Sequence, residues 1–441
     1  MKHIHKYKGF LLFISDIIIL YIILYIIVWL RFYNTFSWNI LKIHLQSFTP
    51  VFIIWIIILY INHFYDNTFT LPGIKIISSL GRIALLNLFI SIIYFYLFSF
   101  VGITPKTNLL LIWGLSFLCI CLNHIWFSIF IQKQKPLNII IISQDAIALD
   151  LSIVLNNNPQ FGYKLVDRID NPDDYWKLTR LIESQNVDVI IIDKHFPNNN
   201  IKNILFNALW NKIQIIDFID FYESILKKTP LSLIDDPEFL SKIEDKTYQI
   251  LEPVKRTIDI ILGLTLFLIT LPLWPIIIIG ILIDDFGPIF YIGKRIGKNH
   301  KEFYLIKFRS MTKNASNGPR WTLPNDQRIT KFGKFLRKLY LDEIPEFINV
   351  IKGDISLVGP RPEEAKLVAL FEKEIPFYNI RHIVKPGITG WAQIHYSNSY
   401  SVEGTKEKLK YDLYYLRHYS LWLDLMIILK TLHIPLDIKS H

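Results

Sequence analysis

Residues 341–362 combine side chains that could carry out phosphate chemistry. The segment opens with two adjacent carboxylates, Asp342 and Glu343, and ends in a rigid Gly-Pro-Arg-Pro turn that contains Arg361. A carboxylate can hold a cation or attack phosphorus, and a guanidinium can bind phosphate oxygens. Neighbouring side chains on a helix point about 100° apart, so the two acids are expected to do different work. The alternatives are structural: Asp342 would cap a helix, and Arg361 would belong to a surface turn.

Basic residues are concentrated immediately before this pair. Residues 286–340 contain thirteen Lys and Arg residues but only two acids, Glu302 and Asp326. Such a field attracts anionic headgroups and phosphorylated substrates. Downstream, Arg381 lies beside a glycine-containing turn that could contact phosphate, and Asp412 could bind a polar ligand group. A purely structural role is an equal alternative for both of these residues.

Apolar residues in two parts of this region suggest contact with lipid. Four of them fall on one face of a predicted helix: Phe332, Phe335, Leu336 and Leu339. This helix would lie on a membrane surface or on the surface of its own domain. Four aromatic residues are interpreted as an interfacial belt: Tyr411, Tyr414, Tyr415 and Trp422. The apolar run 421–429 is too short to span a bilayer and would dock on the membrane or the core.

The composition places part of the chain in lipid. Apolar residues make up 51% of the 441 residues, the mean hydropathy is positive, and the net charge is +10. The length allows two or three domains. Nucleic acid is not expected as a partner, because the basic residues lie beside apolar segments. The only cysteines, Cys119 and Cys121, lie in an apolar run and support neither a disulfide framework nor a zinc site.

Four apolar stretches in residues 1–135 predict a four-helix transmembrane domain. They are residues 10–30, 48–61, 83–101 and 109–131. Positive charges cluster before the first stretch, between the second and third, and after the fourth, as Lys2, Lys6, Lys8, Lys75, Arg82, Lys133 and Lys135. The positive-inside rule then places the N-terminus and everything after residue 135 on the cytoplasmic face. The chain is therefore expected to cross a membrane several times.

Residues 136–232 alternate strand and helix patterns, which predicts a small, parallel, Rossmann-like α/β domain. A dinucleotide site would need glycine directly after the first strand, but the sequence there is Ser143-Gln144-Asp145-Ala146. A regulatory or assembly role is therefore favoured over cofactor binding. Residues 233–250 are interpreted as a linker. The last domain, residues 251–441, is expected to be mainly helical and to contain the candidate site.

A long apolar segment at residues 256–285 is interrupted by Pro272 and Pro275. Each proline removes a backbone donor and bends a helix. Two topologies are open: a kinked crossing, and a re-entrant helix that enters and leaves by the cytoplasmic leaflet. Hydroxyl groups such as those of Thr265 and Thr270 could satisfy the broken backbone at membrane depth.

Four motifs resemble, in order, those of the bacterial monotopic phosphoglycosyl transferases. They are KFRSM at residues 307–311, DQRIT at 326–330, the segment 341–362, and KPGITGWAQ at 385–393. The similarity extends over residues 251–436, and the four-helix N-terminus with an α/β unit is similar to the long form of the family. These enzymes are polyprenyl-phosphate hexose-1-phosphate transferases of exopolysaccharide, capsule and O-antigen assembly.

The resemblance implies a reaction and a role for each site residue. A sugar-1-phosphate would pass from a UDP-sugar to undecaprenyl phosphate with Mg²⁺, releasing UMP. The resemblance also implies a location in the bacterial inner (cytoplasmic) membrane. Asp342 would be the nucleophile and Glu343 the magnesium ligand. The resemblance also implies the re-entrant topology, with its break at Pro272 and Pro275. The residues expected to bind substrate are Arg361, Arg381, Asp412, Arg337 and Arg309.

Two other functions are considered, together with assembly as a homodimer in contact with membrane lipids. A nucleotide-sugar epimerase or dehydratase would need a glycine-rich turn and a Tyr-x-x-x-Lys pair near the α/β unit, and neither occurs there. A non-enzymatic scaffold for polysaccharide assembly would leave Asp342, Glu343 and Arg361 without a purpose. The sequence does not name the sugar that is transferred.

Overall fold

The computed structural model describes residues 4–62, 64–65, 73–97, 106–132, 135–184, 186–194, 196, 199–234, 246–313, 315, 326–396 and 401–431. The chain divides into two compact units, Met1–Phe221 and Tyr222–His441. The predicted domain ranges 1–135, 136–232 and 251–441 stay predictions. Most of the predicted linker at 233–250 lies outside the described residues, as do Lys2 and Lys133, on which the predicted orientation partly depends.

The first unit begins with four long helices, which confirms the predicted N-terminal apolar helices. They are α1 (Ile4–Arg31), α2 (Trp38–Ile61), α3 (Gly73–Leu97) and α4 (Lys106–Gln132). Each is long and apolar enough to cross a membrane, and so is a fifth segment, Ile250–Asp284. The chain therefore has the make-up of a membrane protein.

A small polar network lies among these apolar helices. The Asp16 side chain is fully buried and accepts hydrogen bonds from the Tyr65 hydroxyl at 2.9 Å and from Asn123 Nδ2 at 2.9 Å. His124 Nε2 lies 2.8 Å from the same carboxylate. A buried carboxylate is tolerated only when it is satisfied in this way, so the network fixes how α1 packs against α4.

A four-stranded parallel sheet follows, with strand order β2-β1-β3-β4. The strands are β1 (Leu137–Ile142), β2 (Tyr163–Ile169), β3 (Val189–Ile192) and β4 (Gln214–Asp217). The helices are α5 (Ile147–Asn157), α6 (Tyr175–Ser184), α7 (Asn199–Trp210) and α8 (Phe218–Leu226). This is the parallel α/β pattern expected from the sequence, while its Rossmann-like character stays a prediction.

The turn after β1 is filled by its own side chains. The Ser143 hydroxyl donates to Asp193 Oδ2 at 3.1 Å, and the Asp145 carboxylate accepts from the backbone of Ile147 at 2.9 Å. A carboxylate therefore occupies the start of α5, where a dinucleotide fold would bind a phosphate. This arrangement agrees with the missing glycine and disfavours a phosphate at that turn.

The second unit begins with the interrupted apolar segment. It consists of α9 (Lys246–Thr270), a 3₁₀ turn (Leu271–Leu273) and α10 (Trp274–Asp284), with Pro272 and Pro275 at the starts of the last two elements. The Thr270 hydroxyl donates to the carbonyls of Leu266 and Phe267, at 2.8 and 3.1 Å. Both arms pack on the same small region: Arg256 of α9 donates to the carbonyls of Val350 and Ile351, and Ile277 of α10 shares a core cluster with Ile344.

The rest of the unit is mainly helical, as expected. Two short sheets support it: an antiparallel pair, β5 (Phe290–Ile296) with β6 (Glu302–Phe308), and a parallel pair, β7 (Ser356–Val358) with β8 (Gly387–Thr389). The helices are α11 (Lys331–Lys338), α12 (Glu346–Lys352), α13 (Ala365–Glu374), α14 (Trp391–His395), α15 (Val402–Arg417) and α16 (Leu421–Thr431).

The interfacial belt expected from the aromatic residues is wrong for two of its members. Tyr414 and Tyr415 lie in the main core of the unit, and the Tyr415 hydroxyl donates to Asp424 at 2.7 Å. Trp422 is exposed, while α16 docks on the core through Leu423 and Ile427. Both rings serve packing here, since Tyr414 stacks on Trp391 and the Tyr415 hydroxyl has a buried partner.

Candidate active site

The two carboxylates of the predicted site lie in a tight turn between α11 and α12. Leu341–Glu343 forms a single 3₁₀ turn, which is preceded by Tyr340 in a left-handed backbone conformation with φ of 56°. Helix α12 begins after Pro345, and no side chain caps it. Asp342 is therefore not the N-cap of that helix, which removes its structural alternative. Its side chain is buried, with 7% of the residue exposed.

Glu343 is held by two cations from different elements. Lys307 Nζ, on β6, lies 2.7 Å from Glu343 Oε1, and Arg361 Nη2 donates to the same oxygen at 2.8 Å. Lys307 Nζ also lies 2.8 Å from Glu346 Oε1 on α12. A strand, a turn and a helix thus meet at one lysine, which fixes the orientation of the Glu343 carboxylate.

The surroundings shift the pKa values of the two adjacent acids in opposite directions. Burial raises the pKa of Asp342, and the charge of Glu343 adds to the rise, against the opposing effect of Lys307, Arg337 and Arg361. Burial also acts to raise the pKa of Glu343, but Arg361 and Lys307 outweigh it and lower the value to about 2. Pairs of carboxyl groups that are shifted in opposite directions are typical of catalytic sites.

Some oxygens of this pair are available to a ligand. Among the described residues, none donates a hydrogen bond to the Asp342 carboxylate or to Glu343 Oε2. Carboxylate oxygens are the ligands that Mg²⁺ prefers in proteins. The residues present therefore fit a magnesium ion at Glu343, with its second oxygen as the donor.

Arg361 is positioned by the parallel pairing of β7 with β8 and by the close approach of Gly359, which follows β7, to Gly387 of β8. Gly359 donates its backbone N–H to Thr389 at 2.9 Å, and Gly387 donates to the Pro360 carbonyl at 3.0 Å. A Cβ on Gly387 would lie 2.1 Å from the Gly359 nitrogen, so no other residue fits without a backbone shift. This close approach holds the turn that carries Arg361 beside Glu343.

Arg381 and Asp412 lie together beneath this turn. Arg381 Nη2 lies 2.9 Å from Asp412 Oδ2, and both residues are almost fully buried. The same guanidinium donates to the Arg361 carbonyl at 2.9 Å and to the Tyr378 hydroxyl at 2.7 Å. Burial raises the pKa of Asp412, against the effect of the charges of Arg381 and Lys408. This geometry supports the backbone of Arg361, and substrate contact by either residue stays a prediction.

The other two predicted arginines lie in different places. Arg337 is close enough to Asp342 to influence its charge, and its Nε donates to the Ser310 hydroxyl at 2.8 Å. Arg309 instead forms an ion pair with Asp285 at the end of α10, at 3.0 Å. The structure thus brings Arg337 to the two carboxylates and places Arg309 at the junction with the apolar segment.

Sequence analysis missed four charged residues of this region. Lys307 and Glu346 complete the cluster around Glu343, and Lys408 and Glu363 form a second ion pair at 2.8 Å near Arg381. One pattern could have identified Glu346: it follows Glu343 by three positions, which places both on one helical face. Lys307 on β6 and Lys408 on α15 are distant in the chain from the acids they pair with, and they leave no such pattern.

Comparison with known proteins identifies the family. The sequence model described as bacterial sugar transferase matches residues 250–437. An uncharacterized sugar transferase of Bacillus subtilis (strain 168) is 44% identical over 146 residues, which are 33% of this chain and 68% of that protein. The chain belongs to the bacterial sugar transferase family.

Two further members of the family have more specific names. One, from Aeromonas hydrophila, is a UDP-N-acetylgalactosamine-undecaprenyl-phosphate N-acetylgalactosaminephosphotransferase, 42% identical over 180 residues. The other, from Xanthomonas campestris pv. campestris, is a UDP-glucose:undecaprenyl-phosphate glucose-1-phosphate transferase, 44% identical over 166 residues. The matches cover 41% and 36% of this chain and 43% and 34% of these relatives. The chain thus aligns with less than half of the length of each relative. The names of these relatives and the family match confirm the predicted phosphoglycosyl transferase family.

Proposed function

We propose that this protein transfers a sugar-1-phosphate from a UDP-sugar to undecaprenyl phosphate or a similar polyprenyl phosphate, releasing UMP. The observation that carries the proposal is the Asp342 carboxylate: it is buried, accepts no hydrogen bond from any described residue, and is flanked by Lys307, Arg337 and Arg361. The names of the Aeromonas and Xanthomonas relatives support the donor and acceptor classes.

The first step forms a covalent intermediate on Asp342. An Asp342 oxygen bonds to the sugar-bearing phosphorus, and the bond from that phosphorus to the bridging oxygen breaks. The electron pair leaves with UMP, so the step consumes no proton. A desolvated carboxylate without hydrogen bonds is a better nucleophile than a solvated one, since no donor must be displaced before attack.

The second step returns Asp342 to its starting state. A phosphate oxygen of the polyprenyl phosphate bonds to the same phosphorus, the bond to the Asp342 oxygen breaks, and its electron pair returns to the carboxylate. The product is a polyprenyl diphosphate sugar. Two steps at one carboxylate let the site handle a soluble donor first and a lipid acceptor afterwards.

The charged neighbours would reduce the repulsion between Asp342 and the diphosphate. Mg²⁺, when bound at Glu343, would offset negative charge on the donor. Arg361 is partly exposed and held by Glu343, so its remaining donors can bind phosphate oxygens. Arg381 is proposed to position Arg361, because it binds the Arg361 carbonyl from below.

We further propose that Ile250–Asp284 is re-entrant and that the catalytic unit lies on the cytoplasmic face. A straight helix of 35 residues would be about 50 Å long, which would separate its ends by more than a bilayer core. Instead Arg256 in the first arm binds the carbonyl of Val350, and Ile277 in the second arm packs with Ile344. Val350 and Ile344 are only six positions apart in the chain. Contacts of both arms with one small region support a segment that turns back.

The test replaces Asp342 with Asn and measures UMP release from full-length protein in nanodiscs with undecaprenyl phosphate, Mg²⁺ and a panel of UDP-sugars. Asp342→Asn should lower release by about 10³-fold or more, because the nucleophile is lost. Asp150→Asn, the same change on the exposed face of α5, should leave the rate unchanged. Full release by Asp342→Asn would reject the nucleophile assignment.

A scaffold function would give a different result. Wild-type protein would then release no UMP with any sugar of the panel, although it folds. The panel also identifies the sugar, because the named relatives act on different ones, N-acetylgalactosamine and glucose.

A further inference from the structure

A cluster of three metal-ligating side chains lies outside the candidate active site. His300 belongs to the 3₁₀ turn Lys298–His300 between β5 and β6, Glu372 lies on α13, and His382 lies in the 3₁₀ segment Tyr378–Ile383. Their ligand atoms all lie within 4.8 Å of one another. His300 Nδ1 is 3.5 Å from Glu372 Oε1, and the two imidazole centroids are 4.7 Å apart. Three separate elements therefore converge on one point.

His382 supplies the independent evidence for a ligand. It is 94% buried, given its 6% exposure, and its Nε2 is a buried atom without a hydrogen-bond partner among the described residues. A neutral imidazole carries a lone pair on one of its two ring nitrogens, and a nitrogen that lacks any other partner can offer that lone pair to a metal ion. Leaving a buried imidazole nitrogen unsatisfied is otherwise costly.

The backbone of the turn that carries His300 is also unusual. Asn299 and His300 both have positive φ, of 54° and 57°. Positive φ is uncommon in residues that carry a side chain, and such conformations are concentrated at functional sites. The consequence of the conformation is that the His300 ring lies over the His382 ring.

We propose that His300, Glu372 and His382 bind a divalent transition metal of the zinc class. Two imidazoles and one carboxylate form a three-ligand set that leaves one position open, and nitrogen ligands favour zinc over Mg²⁺. Tetrahedral ligands at about 2.1 Å from zinc lie about 3.4 Å apart, so the His300–Glu372 distance already fits. The remaining distances close by rotation of the two exposed side chains, His300 and Glu372.

The ion would join three elements next to the active-site support. His382 directly follows Arg381, which holds Asp412 and the Arg361 carbonyl. A metal at His382 would fix the segment Tyr378–Ile383 to β5, β6 and α13. The site is separate from Glu343 and does not depend on the proposed transferase function.

The test measures metal binding to full-length protein in detergent after removal of bound metals with a chelator. Co²⁺ serves as the probe, because its visible absorption reports tetrahedral nitrogen ligation, and Zn²⁺ is then titrated to displace it. The expected result is one equivalent of Co²⁺ with tetrahedral bands, displaced by one equivalent of Zn²⁺ and unaffected by excess Mg²⁺. Glu343→Gln should bind Co²⁺ as the wild type does.

Variants decide where the ion lies. His300→Asn keeps a residue that tolerates positive φ, and Glu372→Gln keeps the size of the side chain; each should weaken Co²⁺ binding by tenfold or more. Glu374→Gln, an exposed glutamate on the same helix, is the matched control and should bind as the wild type. Wild-type affinity in His300→Asn and Glu372→Gln, or displacement of Co²⁺ by Mg²⁺, would overturn the proposal. So would the absence of tetrahedral bands in the wild type.

Discussion

At the scale of the residue, Asp342 and Glu343 show how two chemically similar neighbours acquire different roles. Glu343 shares one oxygen between Lys307 and Arg361, so its negative charge is stabilised. Asp342 is buried without such partners, and its negative charge is disfavoured. The difference arises because the 3₁₀ turn brings only Glu343 within hydrogen-bond distance of the cations, although the same charges lie near Asp342. A group that is costly to hold ionised is well suited to react.

Asp342 should therefore reduce the stability of the fold. Its raised pKa means that the folded state disfavours the charged form, so the penalty is complete at neutral pH and fades as the pH falls toward the ordinary value of 3.8. We expect Asp342→Asn to stabilise the protein by about 0.5–2 kcal/mol at pH 7. Thermal unfolding in detergent measures this. The gain should shrink near pH 4, and Asp150→Asn should show no gain at either pH.

The same shift should appear in the pH dependence of the reaction. Because the nucleophile must be ionised and its pKa is raised, the acidic limb of kcat/KM for UMP release should lie above pH 3.8. Arg337 lowers the pKa of Asp342, so Arg337→Met should move the limb to higher pH. Lys334→Met, an exposed change on the same helix, should leave the limb in place. A limb that moves to lower pH in Arg337→Met would contradict this account.

The sequence was sufficient to identify the two acids and Arg361, but not their partners. Adjacent residues in a distinctive segment can be recognised locally. Lys307 and Arg381 meet partners that are distant in the chain, so no local pattern reveals them. Lys307 is 36 positions from Glu343, and Arg381 is 31 positions from Asp412. Tyr414 and Tyr415 were misjudged for a related reason, since an aromatic residue near a membrane suits both a core and an interface.

At the scale of the element, the parallel pairing of β7 and β8 sets the position of the turn that carries Arg361. The backbones approach so closely at Gly359 and Gly387 that side chains are excluded. The two strands form a parallel pair of only three residues each. The position of Arg361 relative to Glu343 thus depends on contacts between backbones rather than on side-chain packing.

Gly387→Ala should disturb the pairing of β7 with β8. Its Cβ would lie 2.1 Å from the Gly359 nitrogen and 2.6 Å from the Val358 carbonyl carbon, and backbone atoms cannot move aside cheaply. We expect a loss of about 1–3 kcal/mol of stability together with reduced UMP release. Gly81→Ala, where an added Cβ meets nothing within 4 Å, is the control. A fully active and equally stable Gly387→Ala variant would show that the close pairing of β7 with β8 does not position Arg361.

The interrupted helix was easier to foresee than its contacts. Pro272 and Pro275 occur in an apolar run and imply a break wherever the run lies. What the run packs against could not be foreseen, because Arg256 and Ile277 reach residues about 70 to 95 positions away. The amphipathic helix α11 was predicted only in part. Its apolar face was expected to be covered as a whole, but Leu336 is buried beneath α10 whereas Phe335 is half exposed.

At the scale of the whole molecule, the arrangement of the chain in the membrane can be tested directly. Four crossings and a re-entrant segment would place Lys135 and Lys373 on one face and Asn34 on the other. All three side chains are exposed. Single-cysteine variants at these positions, in a background with Cys119 and Cys121 replaced by Ser, would be labelled in sealed vesicles of known orientation.

We expect Lys135→Cys and Lys373→Cys to react with a membrane-impermeant maleimide from the cytoplasmic side, and Asn34→Cys only from the opposite side. Labelling of Lys373→Cys from the Asn34 side would mean that Ile250–Asp284 crosses the membrane. The re-entrant topology would then be wrong, whereas the contacts around Asp342 would be unchanged. The two questions are thus separable.

The packing of α10 against Ile344 links the proposed membrane segment directly to the turn that carries Asp342. If this segment lies in the membrane as proposed, the link would set the depth at which Asp342 meets a lipid phosphate. We then expect the acceptor to be selected by the depth of its phosphate in the membrane. The number of isoprene units would matter little once the tail is long enough to keep the molecule in the leaflet. Short, water-soluble prenyl phosphates should be poor acceptors, because they do not stay in the membrane at that depth, even though they carry the same reacting group.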